Sequence, residues 1–264
     1  MASPVSQFFT DPEPVIHTAV TGTASILKSA LHQGGDTLKS VVVISSIGSV
    51  IGVKALPYTF TEADWNETSL AEVARLGKLT PGGHIYRASK TAAERELWKF
   101  RDQYKPKFTI TAINPAYVVR PPLLLADDPA KINETVRAVW TILSGQDIPP
   151  PLGGSGDFVD VRDVARLMVW AATHGDEADG QRYIALAGVG SEQAIADILR
   201  KNYPRRRHLI KEGTPGKGYL PGYGFPEDGI KVDSSKAVKA TGQDWIGYEK
   251  AVLDAAKEFE KYLS

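Results

Sequence analysis

The sequence predicts an α/β fold, and three observations carry that prediction. Val41-Val42-Val43-Ile44 is a short β-branched run, Phe108 to Ile113 is a second, and Gln181 to Leu186 is a third. Between the first two, Ile85 to Tyr104 sets Ala93, Leu97, Phe100 and Tyr104 at steps of four, three and four, which is helical spacing. Strands alternating with helices of this length point to a sheet with helical crossovers.

Taken in order, Val15 to Gln33 keeps Ile16, Val20, Leu27 and Leu31 on one helical face, and Gly34-Gly35 supplies a stop. The Val41 run is apolar without alternation, which suits a parallel strand covered on both faces and leaves Ser45 and Ser46 at its carboxyl end. A loop rich in Pro, Gly and acidic residues is expected from there to the long helix, and Asn114-Pro115 ends the second strand. Helices follow at Ile132 to Leu143 and Val161 to Thr173, separated by the turn or linker Pro149-Pro150-Pro151 and Gly153-Gly154. Gly213 to Gly229 is dense in Gly and Pro, and an amphipathic helix from Tyr248 to Tyr262 closes the chain.

Composition narrows the function. A chain of 264 residues with 42% hydrophobic content can bury a core in one large domain or two modest ones. Lys plus Arg equals Asp plus Glu at 31 each, so no global field draws the chain to nucleic acid or to an acidic membrane surface. The absence of cysteine excludes disulfides, thiolate nucleophiles and cysteine-based zinc sites, and no apolar run approaches the ~20 residues of a membrane span. The five histidines have no metal-binding spacing, and the start Met-Ala-Ser-Pro-Val-Ser lacks the pattern of a secretory signal. The expectation is a cytoplasmic protein that acts on a small molecule, with no nucleic acid, membrane or metal. Arg205-Arg206-Arg207 reads as solvated surface, Asp160 and Asp163 as the charged start of a helix, and the sequons at Asn66 and Asn133 as chance matches.

Tyr86 and Lys90 stand four apart at the opening of the long helix, so both side chains project from one face. A phenol with a pKa near 10 is a poor acid-base at neutral pH, and a nearby ammonium is expected to lower it. A hydroxyl at the end of the neighbouring strand, Ser46, could hold a carbonyl oxygen beside that phenol while negative charge develops on it. Tyr-x-x-x-Lys is also a common spacing on structural helices, so the surrounding order matters: a serine pair ending a Val-rich strand, then Tyr86-Arg87-Ala88-Ser89-Lys90, then a strand ending Ile113-Asn114-Pro115.

That ordered series resembles the extended short-chain dehydrogenase/reductase family, whose members include NAD-dependent epimerases and dehydratases. Thr61-Glu62-Ala63-Asp64-Trp65-Asn66, Val159-Asp160-Val161-Arg162-Asp163-Val164-Ala165 and Gly180-Gln181-Arg182-Tyr183 are similar to its branch of fungal aldehyde and ketone reductases and plant dihydroflavonol and cinnamoyl-CoA reductases. Ala2-Ser3-Pro4 and Val232 to Lys236 extend the resemblance over essentially the whole chain. By resemblance Ser46 matches the catalytic serine, with Ser45 as its competitor, Tyr86 the proton donor, and Lys90 the residue that also hydrogen-bonds the nicotinamide ribose. Pro115 and Val118 match positions beside the nicotinamide. The implied activity is an NAD(P)H-dependent reduction of an aldehyde or ketone, and the branch favours NADP over NAD.

The family pattern opens with a strand, a Gly-x-x-Gly-x-x-Gly turn and a helix whose N-terminus receives the pyrophosphate, and this sequence starts about two βαβ units later. The resemblance therefore implies an incomplete Rossmann-like parallel sheet with a small C-terminal substrate lobe. Residues of about 1–120 and 153–190 would form the remaining nucleotide-binding core, and about 121–152 and 191–264 the lobe. It also implies weakened dinucleotide binding and an apolar sheet edge open to self-association. Arg120, in Val119-Arg120-Pro121-Pro122, replaces the usual glycine beside the substrate mouth. The rival expectation is a truncated, catalytically inactive family member, or an incomplete gene model, that acts as an interaction protein.

Overall fold

The computed structural model describes Ser6 and Pro121 and residues 8–119, 126–151 and 156–263. Ala2-Ser3-Pro4, Arg120, Pro122 and Gly153-Gly154, singled out above, lie outside the described residues.

In chain order the elements are α1 (Pro12–Gln33), β1 (Ser40–Ile44), β2 (Tyr58–Phe60), α2 (Glu67–Leu76), α3 (Gly82–Tyr104), β3 (Thr109–Pro115) and β4 (Tyr117–Val119). Then come α4 (Glu134–Leu143), β5 (Asp157–Asp160), α5 (Val161–Thr173), α6 (Gly175–Ala178), β6 (Arg182–Ala185) and β7 (Gly188–Val189). The chain continues through α7 (Glu192–Asn202), β8 (Ile230–Val232), α8 (Ser235–Thr241) and α9 (Tyr248–Phe259). The α/β class holds, and the three strands read from β-branched runs are β1, β3 and β6.

Two compact units emerge. The first comprises Met1–Ala116, Ala165–Ala185 and Ile230–Gln243. Its sheet is parallel in the order β1-β3-β6, with Val42 opposite Thr111 and Asn114 opposite Ile184. α1 starts sharply because the Asp11 carboxylate accepts the Glu13 N–H at 3.2 Å and Pro12 needs no partner for a missing donor. Leu27 of α1, Leu97 and Phe100 of α3 and Ile110 of β3 form one buried cluster, which holds both helices against the sheet.

The second unit comprises Tyr117–Val164, Leu186–Gly229 and Asp244–Ser264. β4 and β5 pair in parallel, β5 and β7 antiparallel. The apolar faces of α4, α7 and α9, with Val139, Ile142, Ile198, Leu199, Val252 and Phe259, supply its core.

The structure departs from the sequence-based picture in three places. β1 is not covered on both faces: Val43 is buried, but Ile44, whose side chain points to the opposite face, is 39% exposed. The expected loop between β1 and α3 contains β2 and α2. Pairing also redraws the boundaries: β5 joins β4 and carries residues 157–164 into the second unit, and β8 joins β2 and carries residues 230–243 into the first. The sequon asparagines are helix caps, since the Asn66 side chain accepts the Ser69 N–H at 2.9 Å and that of Asn133 accepts the Thr135 N–H at 3.4 Å.

Candidate active site

Strand β1 delivers Ser45 and Ser46 to its carboxyl end, where a single 3-10 turn, Ile47–Ser49, follows at once. Ser46 caps that turn: its Oγ accepts the Gly48 N–H at 3.0 Å, and its carbonyl accepts the Ser49 N–H at 3.0 Å. Helix α3 begins after Pro81, whose ring cannot continue the preceding chain as helix, and presents Tyr86 and Lys90 from its opening turns. Tyr86 is half-buried and Lys90 is 5% exposed.

The three groups predicted from sequence meet. Burial pushes the Tyr86 phenol above its usual range, and a hydrogen bond with the Ser46 hydroxyl opposes that rise by favouring the phenolate. Ser46 Oγ accepts the Gly48 N–H and so keeps its own proton to give, which the phenol oxygen can accept. The Lys90 ammonium lies 5.7 Å from the centre of the Tyr86 ring, and burial pushes its own pKa down. The expectation that Lys90 lowers the phenol is therefore corrected. The phenol is raised because its own desolvation outweighs the hydrogen bond that favours the phenolate. At neutral pH the oxygen of Tyr86 holds its proton.

Ser45 is placed differently. Its hydroxyl is buried and directed at the carboxylate of Glu94, 2.5 Å away. The strand-end pair thus splits, one hydroxyl facing the phenol and the other the interior. Glu94 is fully buried and also takes hydrogen bonds from Ser49 Oγ at 2.5 Å, Asn114 Nδ2 at 2.7 Å and Arg182 Nε at 2.6 Å. Arg182 in turn lies 3.9 Å over the ring of Trp65 and donates to the carbonyls of Glu62 and Asp64 at 2.6 Å each. Sequence reasoning missed Glu94, Ser49 and Arg182 as members of this site. The available signal was the third step of the series 86, 90, 94, which puts a carboxylate on the buried face of an amphipathic helix.

Other candidates fall as follows. Pro115 is buried at the carboxyl end of β3 in the first unit, and Val118 is half-buried in β4 of the second, opposite Val159. His84 is half-buried in α3 with its Nδ1 hydrogen-bonded to Ser69 Oγ at 3.1 Å. Asp160 accepts the Arg162 N–H at 2.8 Å and grips the Arg162 guanidinium, and Asp163 accepts the Ile246 N–H at 2.8 Å, so both serve the start of α5. Among the described residues no group of three His, Cys, Asp or Glu side chains could hold a metal, and no helix is long and apolar enough to cross a membrane.

Lys90 tests the fit of a nicotinamide nucleotide. Among the described residues its ammonium has neither a hydrogen bond nor an ion pair, although it is almost fully removed from water. Such a group requires polar oxygens from elsewhere, and the vicinal hydroxyls of a ribose meet that need.

Residues 2–187 match the model of the NAD dependent epimerase/dehydratase family. The chain is 30% identical over 271 residues to the NADPH-dependent methylglyoxal reductase of Saccharomyces cerevisiae, covering 99% of this chain and 75% of that protein. It is 30% identical over 258 residues to an Aspergillus niger ketoreductase, covering 96% and 72%. Among solved structures it is similar to the yeast methylglyoxal/isovaleraldehyde reductase complexed with NADPH. There the TM-score is 0.81 at 27% identity, over 99% of this chain and 75% of that one.

Proposed function

Since the chain belongs to the NAD dependent epimerase/dehydratase family, we propose that it works as an NADPH-dependent carbonyl reductase on a small aldehyde or ketone. The observation that carries this reading is the meeting of the Ser46 hydroxyl with the Tyr86 phenol beside an ammonium that has no ion pair among the described residues. Yeast and Candida albicans relatives named as methylglyoxal reductases support the substrate class and the choice of NADPH.

The nucleotide, when bound, supplies a hydride to the carbonyl carbon. The chain's own residues handle the oxygen. Ser46 donates a hydrogen bond to it, and Tyr86 gives up the phenol proton as the alkoxide develops. A phenol raised by burial suits this role, because it arrives protonated and releases its proton only to a strong base such as an alkoxide. Lys90 holds the ribose hydroxyls, and its charge, weakened in water but strong in a closed site, steadies the phenolate left behind. Pro115, in the same unit as Tyr86 and Lys90, contributes apolar surface beside the nicotinamide.

The test has two arms. NADPH titrated against the intrinsic fluorescence of the five tryptophans reports binding, and loss of NADPH absorbance with methylglyoxal or isovaleraldehyde reports turnover. The reading requires both signals; a flat titration to millimolar NADPH sinks it.

A further inference from the structure

Glu94 stands four residues beyond Lys90 and eight beyond Tyr86, on the same side of α3, with no exposure to water. A carboxylate in that position needs several donors, and here it has four. Ser45 Oγ, Ser49 Oγ and Asn114 Nδ2 converge on one oxygen, and Arg182 Nε reaches the other.

Two of these groups also lie against Ser46. Ser49 Oγ lies 2.8 Å from the Ser46 carbonyl, and Asn114 Nδ2 lies 3.3 Å from it and 2.9 Å from Ser49 Oγ. The Asn114 amide points both its protons this way and leaves its Oδ1 buried without a partner among the described residues. Turning the amide over would set that oxygen against the Glu94 carboxylate, so the charge on Glu94 dictates the orientation. From the other side Asn66 Nδ2 donates to the Gly48 carbonyl at 2.9 Å, and the Asn66 N–H to the Ser49 carbonyl at 2.9 Å. The 3-10 turn that Ser46 caps is thereby fixed on two sides.

Stability alone does not call for this arrangement, since well-packed apolar side chains commonly replace a buried ion pair without loss. What the carboxylate does is tie the helix that carries the phenol to the turn that carries the hydroxyl. Resting on the reductase reading, we propose that Glu94 is a positioning residue, clamping the Ser46 turn to α3 through Ser49 and Asn114 so that the Ser46 hydroxyl stays in register with the Tyr86 phenol.

The clamp can be read in the free protein by NMR titration of isotope-labelled tyrosine, with Tyr86→Phe assigning the signal. Ser46→Ala removes the hydrogen bond that favours the phenolate, so the Tyr86 midpoint moves up. Glu94→Gln, which keeps shape and removes charge, is expected to move it the same way and to add nothing in the Ser46→Ala background. Ser49→Ala, a smaller change that retains the packing, moves it in the same direction and serves where Glu94→Gln fails to fold. A midpoint unchanged in both variants, or effects that add in full to Ser46→Ala, overturns the proposal. In turnover, Glu94→Gln should lower kcat by about 100-fold, the scale of a 1 Å misplacement, while the Kd for NADPH stays at the wild-type value. A wild-type protein that reduces no carbonyl would end the reductase reading, and the titration would still decide the clamp.

Discussion

Replacing Lys90 by methionine should make the protein more stable and less active at once. The aliphatic stem of Lys90 is buried, and methionine reproduces most of it. What disappears is an ammonium that burial disfavours, as the downward direction of its pKa shows. The contact with the Tyr86 ring at 5.7 Å opposes the change by about 0.5–2 kcal/mol, against the several kcal/mol that an unpaired buried charge costs. A gain of about 0.5–2 kcal/mol at pH 7 is expected, the range typical of removing one functional-site compromise. The sign depends on pH. With the folded pKa below 10.5, the unfolded chain binds more protons between the two values, so wild-type stability rises across that window. The advantage of Lys90→Met is therefore full below the folded pKa and gone above about 10.5. Urea unfolding followed by tryptophan fluorescence at pH 7 and pH 10.5 measures both limbs, and NADPH oxidation should fall by about 100-fold or more. A loss of 1 kcal/mol or more at pH 7 would refute the reasoning, because it would mean that the ammonium is satisfied within the fold.

Other consequences follow from the same geometry. Tyr86→Phe should lower kcat by about 10²–10⁴-fold and leave urea stability within about 1 kcal/mol, since one hydrogen bond is exchanged for relief of a buried hydroxyl. Gly190→Ala should destabilise by about 1–3 kcal/mol: a Cβ there would come within 2.2 Å of the Tyr248 ring, a well-packed side chain that cannot retreat, and a drop in Tm checks this. Asp179 is raised by burial, but the Arg101 guanidinium and the N–H groups of Ile110 and Gly180 more than offset that and hold it below 3.8. Its contribution is therefore present above pH 3.8 and lost as pH falls through the folded pKa. Asp179→Asn should cost about 1 kcal/mol at pH 7, after allowance for the partial exposure of the pair, and nothing in acid, as paired acid-unfolding curves would show.

The sequence by itself determined the α/β class, the three strands of the main sheet and the helix carrying Tyr86 and Lys90. Those are written locally, in β-branched runs and in apolar residues at helical spacing, and α3 and β3 would read the same in isolation. It also determined which hydroxyl, phenol and amine to consider, because their order along the chain matches a family pattern. Tertiary structure decided the rest. β2, β4, β5, β7 and β8 are two to four residues long, too short for any period to show, and exist because a distant partner completes their hydrogen bonds. Ser45 and Ser46 are adjacent and chemically alike, and only Glu94, reached across 49 residues, turns one inward and leaves the other for the phenol. The direction of the Tyr86 shift was likewise undetermined by spacing. A cation four residues away argues for lowering it, and only the amount of protein packed over the phenol shows that its desolvation wins.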